Sequence, residues 1–349
     1  MDPRRQNFER SPQDPAPLAL RFGLDPVATA QVAARFPVRL TPHLLKLIET
    51  ADDPIGRQFL PDPLELVDEG LPDDPLDEGR LAPVAAIIHR YPTRALLLAG
   101  NACAAYCRFC TRKRRVGCPT FDLTFADLLA GVEYLAARPE IREVIITGGD
   151  PLLLSDELLA ELLERMRRIP HLGVLRIATR TLTALPERIT PKLAVLLGRH
   201  APLYLTTHFN HPRELTPAAA DACARLANAG IPLANQTVLL RDVNDDADTL
   251  VALCDGLLRL RVRPYYLHQL DPVRGAGHFR VPIERGLQLV AALRARVSGL
   301  AVPHYIVDLP GGKGKVALTP ESVISLGATA VIRSAAGDLV TVPNGAPVR

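Results

Sequence analysis

Short apolar runs alternate with longer segments of helical periodicity over most of this chain. The runs are rich in leucine and β-branched residues, and after one long interval they start about 30 residues apart. They span residues 94–100, 142–150, 174–180, 203–209, 232–240 and 262–271. The segments between them, such as 125–137 and 156–168, repeat apolar residues every three or four positions. This alternation predicts βαβ units and a parallel sheet.

Six such units predict an α/β fold, an open or partial TIM-like (β/α)6 barrel rather than a closed eight-stranded one. Active-site residues then belong at the C-terminal ends of the strands. Before the barrel, short helical patterns alternate with Pro and Asp breaks, and Thr41 is the expected N-cap of a helix. From Tyr305 onward the pattern predicts short strands and turns. We therefore expect a flexible N-terminus, a small helical N-terminal region, the barrel and a C-terminal segment, at residues 1–17, 18–90, 91–300 and 301–349.

Composition narrows the class of protein. The 349 residues are 48% hydrophobic and 23% charged, with a net charge of +3, which is too balanced to favour nucleic acid or a membrane as a partner. No apolar run approaches membrane-spanning length, and the first residues lack the apolar segment of a secretion signal, so a cytoplasmic location is expected. The basic residues are nearly all arginine, and lysine occurs only at Lys46, Lys113, Lys192, Lys313 and Lys315.

Three of the six cysteines follow the first predicted strand. Cys103, Cys107 and Cys110 form a C-x3-C-x2-C pattern. A structural zinc site usually has four closed ligands, whereas three thiolates suit a [4Fe–4S] cluster with one iron open to a further ligand. The alternatives are a zinc site or an accidental group, and the rival class is a zinc-dependent nucleic-acid-binding protein. The spacing, with Phe109 before the last cysteine, resembles that of the radical S-adenosylmethionine (SAM) superfamily.

A glycine-rich turn closes the second predicted strand, in the sequence TGGDP. Gly148 and Gly149 let the backbone come close to a ligand, and Asp150 can accept a hydrogen bond from an ammonium group. An ordinary β–α turn is the alternative.

A second glycine-rich loop, within residues 307–318, carries Lys313 and Lys315. It departs from the Walker A pattern of nucleotide-binding loops. It is either a flexible turn with exposed lysines or the place where a lysine binds pyridoxal phosphate (PLP) covalently. PLP also needs a phosphate clamp, which Arg90 and Arg94 can supply unless they are ordinary surface residues.

In this order the segments resemble the lysine 2,3-aminomutase family of PLP-dependent radical SAM enzymes, from about Leu40 to the C-terminus. The matching stretches include HRYPTRALLL, CAAYCRFCTRKR, TGGDPLLLSDE, THFNHPREL, NQTVLLRDVND, RVRPYYLHQLD and VDLPGGKGK. The resemblance implies a partial barrel of the radical SAM type and an isomerase. Its reaction would be a radical 1,2-amino migration that converts L-lysine to β-lysine, with a [4Fe–4S] cluster, SAM and PLP as cofactors. Its partners would be the amino acid substrate and an electron donor such as flavodoxin or ferredoxin, and a homo-oligomer is left open.

The resemblance also implies cofactor-binding residues. Lys315, aligned by the preceding Pro-Gly-Gly, would hold PLP, and the three cysteines would hold the cluster. The other residues implied in cofactor binding are Arg90, Tyr91 and Arg94 for the PLP phosphate, Gly148, Gly149 and Asp150 for SAM, and His208 and Gln236 at the barrel mouth. A metal pair formed by His208, Asn210 and His211 is the alternative for the THFNH stretch.

Substrate recognition follows from three further positions. Arg112 resembles the residue that pairs with the substrate carboxylate, and Asp271 and Asp308 resemble the two carboxylates that bind the lysine side-chain ammonium. Two acids favour a cationic side chain, whereas a glutamate-specific relative would need hydrogen-bond donors there. Alternatively, both aspartates cap strand ends. Arginine or another amino acid is the second substrate hypothesis.

The chain departs from better-known members of the family at their structural zinc. Asp246 stands where those enzymes have one zinc cysteine, and no cysteine follows Cys254, so we expect zinc to be absent. The stretch YYLHQLD is similar to the branch that makes β-lysine for elongation factor P, whereas DLPGGKGK is similar to the free-lysine branch. The destination of the product therefore stays open.

Overall fold

The structure, a computed structural model, describes residues 14–67, 70–319, 322–334 and 337–345. Four short helices come first: α1 (Ala16–Phe22), α2 (Pro26–Arg35), α3 (Pro42–Leu47) and α4 (Gly56–Phe59). The predicted N-cap of α3 is confirmed, because the Thr41 side chain accepts a hydrogen bond from the Leu44 backbone N–H. Of the segment expected to be flexible, residues 1–13 lie outside the described residues.

A nine-stranded sheet forms the body of the molecule, and its strands follow chain order. They are β1 (Ile87–Tyr91), β2 (Arg94–Leu98), β3 (Glu143–Thr147), β4 (Val174–Ala178), β5 (Leu203–Thr207), β6 (Leu233–Leu239), β7 (Val262–Gln269), β8 (His304–Leu309) and β9 (Gly314–Ala317). Strands β2 to β8 run parallel, and β1 and β9 pair antiparallel at the two edges.

Helices connect the parallel strands and cover the outer face of the sheet. They are α5 (Phe125–Ala136), α6 (Asp156–Arg167), α7 (Thr181–Ala184), α8 (Pro191–Gly198), α9 (Pro217–Asn228), α10 (Ala247–Arg259) and α11 (Ile283–Arg296). The six predicted strand runs are all strands, and the predicted α/β partial barrel is confirmed. The sheet also has a seventh parallel strand, β8, which the sequence pattern did not separate from the tail.

The two edges of the sheet meet through side chains. The Lys315 backbone N–H in β9 donates to the Tyr91 hydroxyl in β1 at 2.8 Å, and Arg90 in β1 donates to Asp308 in β8 at 2.6 Å. Among the described residues these contacts take the place of a strand ladder between β1 and β9, so the barrel stays partial.

Alternation along the strands separates the core from the barrel interior. In β4, Leu175 and Ile177 are buried against the helices, whereas Arg176 and Ala178 line the interior. The outward residues therefore build the apolar core, and the inward residues are available for chemistry.

A small antiparallel sheet ends the described chain, with strands β10 (Val323–Ser325), β11 (Thr329–Arg333) and β12 (Leu339–Pro343). Its buried face shares an apolar cluster with α11. Within the described ranges, every helix is too short or too polar to cross a membrane.

Candidate active site

A cavity of about 370 Å³ runs through the barrel interior. It reaches from Arg94 and Arg176 on the strands to the loops that follow the strand ends. Every residue predicted for the site lines this cavity except Gly148, which faces a smaller cleft beside Arg112. The structure thus brings together residues that are more than 200 positions apart in the chain, from Arg90 to Lys315.

The three clustered cysteines lie on the irregular loop between β2 and α5. Burial raises the pKa of Cys110 to about 11, and burial together with the charge of Asp150 raises the pKa of Cys103. Such thiols keep their protons until a soft metal replaces them. No three His, Cys, Asp or Glu side chains in the described ranges stand close enough to ligate a single ion. The fit to an iron–sulfur cluster therefore rests on donor chemistry, with three soft thiols around one cavity.

Arg180, directly after β4, holds the cysteine loop from inside the protein. Its Nη1 donates to the Cys107 sulfur at 2.7 Å, and its Nη2 donates to Glu214 at 2.8 Å and to Gln58 at 2.6 Å. Burial opposes the guanidinium charge, but Cys107 and Glu214 outweigh it and raise the pKa of Arg180. Arg180 is therefore a fixed cation at the site. Sequence reasoning missed it, because an arginine at a strand end carries no local signal of such contacts.

Lys315 is one of the residues that line the cavity, whereas Lys313 is not. The Lys315 amine forms an ion pair with Asp308, whose other carboxylate oxygen accepts from Arg90. Burial opposes the charge of Asp308, but the two cations hold the pKa of this carboxyl below its ordinary value. Lys313 is exposed in the turn before β9. Among the described residues, the lysine amine that lines the cavity is that of Lys315.

The candidate phosphate clamp forms one group around Tyr91. The Arg94 guanidinium lies 3.8 Å from the centre of the Tyr91 ring, and Arg90 lies 5.9 Å from it. Gly314 has a left-handed φ of 93°, and a Cβ atom there would lie 3.1 Å from the Tyr91 hydroxyl. Glycine therefore allows β9 to pack against Tyr91. Two guanidiniums beside a phenol suit a phosphate.

Asp271 follows β7 at the same end of the cavity as Asp308. Burial and the negative charge of Asp308 raise the pKa of Asp271 to about 7. Its Oδ1 is buried and, among the described residues, accepts no hydrogen bond. The two acids that face this cavity thus have different surroundings, because Asp308 pairs with two cations and Asp271 forms no ion pair with a described residue.

Arg112 is already bound to an acid that sequence reasoning missed. Its Nε and Nη2 donate to Glu78 at 2.9 and 2.7 Å, and its Nη1 lies 3.4 Å from the Thr147 hydroxyl. Glu78 is buried and belongs to the loop before β1. The carboxylate fixes the guanidinium plane and leaves Nη1 as the donor for a ligand.

The Gly-Gly-Asp turn after β3 packs on the cysteine loop. A Cβ atom at Gly149 would lie 2.1 Å from the Ala102 carbonyl oxygen, so this position requires glycine. The Asp150 side chain accepts from the Thr179 hydroxyl at 2.6 Å and from the Arg180 backbone N–H at 2.8 Å. In this structure Asp150 therefore joins the loops after β3 and β4.

His208 lines the cavity, together with Thr207 from the same THFNH stretch and Gln236 from β6. Burial, Arg180 and a neighbouring histidine lower the pKa of His208 far below its ordinary value, so its imidazole is neutral. Asn210 instead accepts from the Val238 backbone N–H, and His211 caps a short turn through Arg213. The alternative of a metal pair is not supported, because these side chains point to different partners.

Comparison with known proteins places this chain in a family. The profile described as Radical SAM superfamily matches residues 97–254, and the one described as Lysine-2,3-aminomutase matches residues 290–345. The L-lysine 2,3-aminomutase of Fusobacterium nucleatum is 43% identical over 290 residues, which cover 82% of this chain and 68% of that protein. The chain belongs to the lysine 2,3-aminomutase family. The L-lysine 2,3-aminomutase of Clostridium subterminale is 42% identical, over 85% of this chain and 72% of its own.

Membership of this family implies three cofactors. The radical SAM domain implies a [4Fe–4S] cluster and SAM, and lysine 2,3-aminomutases use PLP as well. The protein is therefore an isomerase of the aminomutase type. Asp246, which stands at the expected zinc-cysteine position, caps α10 by accepting from the Thr249 backbone N–H at 2.9 Å.

Sequence identity to members of the aminomutase family does not show which amino acid is the substrate. The glutamate 2,3-aminomutase of Clostridioides difficile is 40% identical over 299 residues, covering 85% of this chain and 71% of that protein. The substrate therefore has to be argued from the cavity residues.

A bulge in β7 adds aminomutase cavity residues that sequence patterns did not identify. The register between β6 and β7 skips Tyr265, so Tyr265 and Tyr266 both line the cavity. Their rings stack at 3.8 Å, and their hydroxyls lie 2.8 Å apart. His268 follows on the same face, and burial and the charge of Lys315 lower its pKa to about 3. Strict alternation along the strand would turn Tyr265 outward, so its position in the cavity could not be predicted from the sequence pattern.

Proposed function

We propose that this protein is an L-lysine 2,3-aminomutase, which interconverts L-lysine and β-lysine. The observation that carries the proposal is the pair of carboxylates, Asp271 and Asp308, in the cavity that also holds Lys315 and the cysteine loop. Carboxylates in a buried site bind a cationic side chain through charge-assisted hydrogen bonds. The side chain of glutamate would instead meet like charge there.

The contacts of Asp271 and Asp308 in the ligand-free chain support their role in binding an ammonium group. Asp308 pairs with two cations, Arg90 and Lys315. If Lys315 holds PLP, it would no longer offer an ammonium group to Asp308, and Arg90, which also faces the expected PLP phosphate, would remain beside this carboxylate. The ammonium of a lysine substrate replaces the lost cation. It also supplies a donor to the Asp271 oxygen that lacks one among the described residues.

We assign residues to each cofactor from their positions around the same cavity. Lys315 holds PLP, and the three cysteines hold the cluster. The residues assigned to the PLP phosphate are Arg90, Tyr91 and Arg94, those assigned to SAM are Gly148, Gly149 and Asp150, and those assigned to the cavity between the cofactors are His208 and Gln236.

When bound, the cluster and SAM supply hydrogen-abstracting radical chemistry, and PLP supplies electron delocalisation to the migrating amino group. The chain itself positions the substrate. Arg112, fixed by Glu78, meets the carboxylate, and Asp271 and Asp308 meet the side-chain ammonium. These charged contacts at the two ends of the substrate molecule hold its C2 and C3 atoms in place, which lowers the entropic cost of the reaction. His268 is uncharged at neutral pH, so it adds no charge to the cavity.

We further propose that flavodoxin or ferredoxin reduces the cluster and that the reaction takes place in the cytoplasm. The need of radical SAM enzymes for a reductant supports the first point, and the six free cysteines, which suit a reducing compartment, support the second. The product is either free β-lysine or a precursor for elongation factor P.

A substrate panel tests the proposal. Anaerobically reconstituted protein with PLP, SAM and a reductant receives L-lysine, L-arginine or L-glutamate, and the products are identified by chromatography and mass spectrometry. We expect β-lysine from L-lysine and little turnover of L-glutamate. Asp271→Asn should raise the KM for L-lysine by roughly 10- to 100-fold, because a charged hydrogen bond is lost. Rearrangement of L-arginine or L-glutamate in place of L-lysine would overturn the substrate assignment.

A further inference from the structure

One of the three cluster cysteines has a charged hydrogen-bond donor. Arg180 Nη1 donates to the Cys107 sulfur at 2.7 Å. Cys110 accepts instead from a neutral donor, the backbone N–H of Arg112. The three thiols therefore differ in their surroundings, and the difference is fixed by the fold.

The Arg180 guanidinium is held rigidly where it meets the sulfur. Gln58 and Glu214 accept from its Nη2, and the rings of Phe59 and Phe109 lie 4.5 and 5.3 Å from its carbon. The side chain is 9% exposed. Three separate parts of the chain thus orient one N–H toward Cys107.

Hydrogen bonds to cluster sulfurs and nearby positive charge set the reduction potential of iron–sulfur clusters. Both stabilise the reduced cluster, which carries one more negative charge, and both act strongly in a buried site. Glu214 balances the charge of Arg180, but the oriented N–H remains at the sulfur.

We propose that Arg180 is a positioning residue that raises the reduction potential of the [4Fe–4S] cluster through its hydrogen bond to Cys107. The proposal rests on the proposed assignment of the three cysteines to the cluster. It gives Arg180 a role in electron uptake, ahead of any step on the amino acid.

The test is a redox titration of the reconstituted full chain, followed by electron paramagnetic resonance with and without SAM. The main variant is Arg180→Gln with Glu214→Gln, which leaves no buried carboxylate unpaired. A matched control is Arg188→Gln with Asp156→Asn, another buried arginine–carboxylate pair, joined at 2.7 Å, whose arginine also donates to the Leu152 and Leu154 carbonyls. Arg180→Lys keeps the charge and replaces the oriented fork by a single ammonium.

At equal iron content, we expect a more negative midpoint potential in the Arg180/Glu214 variant, a smaller shift in the same direction in Arg180→Lys, and no shift in the control. An unchanged potential without SAM overturns the proposal. If SAM then binds more weakly, Arg180 acts on SAM rather than on the sulfur, and the proposal also fails. Where the double variant takes up no iron, the potential of Arg180→Lys decides in the same way.

The outcome separates this inference from the proposed function. A shifted potential without any amino acid product leaves the role of Arg180 standing and contradicts the aminomutase activity. If the unaltered protein takes up no cluster, the cysteine assignment fails, and both proposals are overturned.

Discussion

Two lysines separated by one glycine differ in their surroundings. Lys315 pairs with Asp308 inside the barrel, whereas Lys313 is exposed. We therefore expect Lys315→Ala to lower covalently bound PLP from about one per chain to none, because only an amine inside the cavity reaches the cofactor. Borohydride reduction followed by peptide mass spectrometry measures the adduct. Lys313→Ala is the matched control and should keep it, and an adduct on Lys313 would contradict the assignment.

The carboxyl group of Asp271 should make substrate binding depend on pH. Its pKa is raised to about 7 by burial and by Asp308. A cationic substrate binds the ionised carboxylate, so lowering the pH through 7 protonates Asp271 and weakens binding. Between pH 8 and pH 6 the ionised fraction falls by about tenfold, and the Kd of L-lysine should rise by the same factor. Titration calorimetry of PLP-loaded protein without reductant measures it.

Asp271→Asn provides the control for this pH dependence. PLP and the substrate titrate alike in both proteins, so a difference in slope reports on Asp271. Equal slopes would contradict the assignment of Asp271 to the ammonium.

At the scale of the elements, the turn after β3 has to fit against the cysteine loop. An alanine at Gly149 places a Cβ atom 2.1 Å from the Ala102 carbonyl oxygen, next to Cys103. We expect Gly149→Ala to lower the iron bound after reconstitution several-fold, since backbone has to move. Gly299→Ala is the matched control, because a Cβ atom there meets no described atom within 4 Å. Full iron content in Gly149→Ala would show that the turn does not position the loop.

The site residues that sequence analysis identified lie in short local patterns. The three cysteines and Lys315 each stand within one loop, so spacing and family resemblance make them candidates. Glu78 and Arg180 act through partners far away in the chain, and Tyr265 faces the cavity because of a bulge. Such contacts depend on how elements meet, which periodicity does not encode.

At the scale of the whole molecule, a buried ionic cluster joins the N-terminal region to the cysteine loop. Glu65 accepts from Arg108 at 2.6 Å and from Lys113 at 2.5 Å, and all three side chains are buried. Glu65→Gln leaves two buried cations without their carboxylate, so the free energy of unfolding should fall by about 3–5 kcal/mol.

Denaturant unfolding of the cluster-free chain measures this loss. The matched control is Glu161→Gln, which removes an exposed i,i+4 pair with Arg165 and should cost about 0.5 kcal/mol or less. Equal losses in the two variants would contradict a joining role for Glu65.

The strand and helix rhythm was sufficient to predict the partial barrel, because each βα unit carries its own periodicity. The edges were harder to predict. Strand β1 follows a turn-rich segment, and β8 runs directly into the glycine loop, so neither stands apart as a unit. Yet these edges bring Arg90, Asp308 and Lys315 together and complete the site.

The most direct test of aminomutase activity follows the amino nitrogen itself. L-Lysine labelled with ¹⁵N at C2 is incubated anaerobically with the reconstituted protein, SAM, PLP and a reductant, and the product is analysed by NMR. We expect β-lysine with the label bound to C3. Unchanged lysine in protein that carries cluster and PLP, or loss of the label as ammonia, would contradict it.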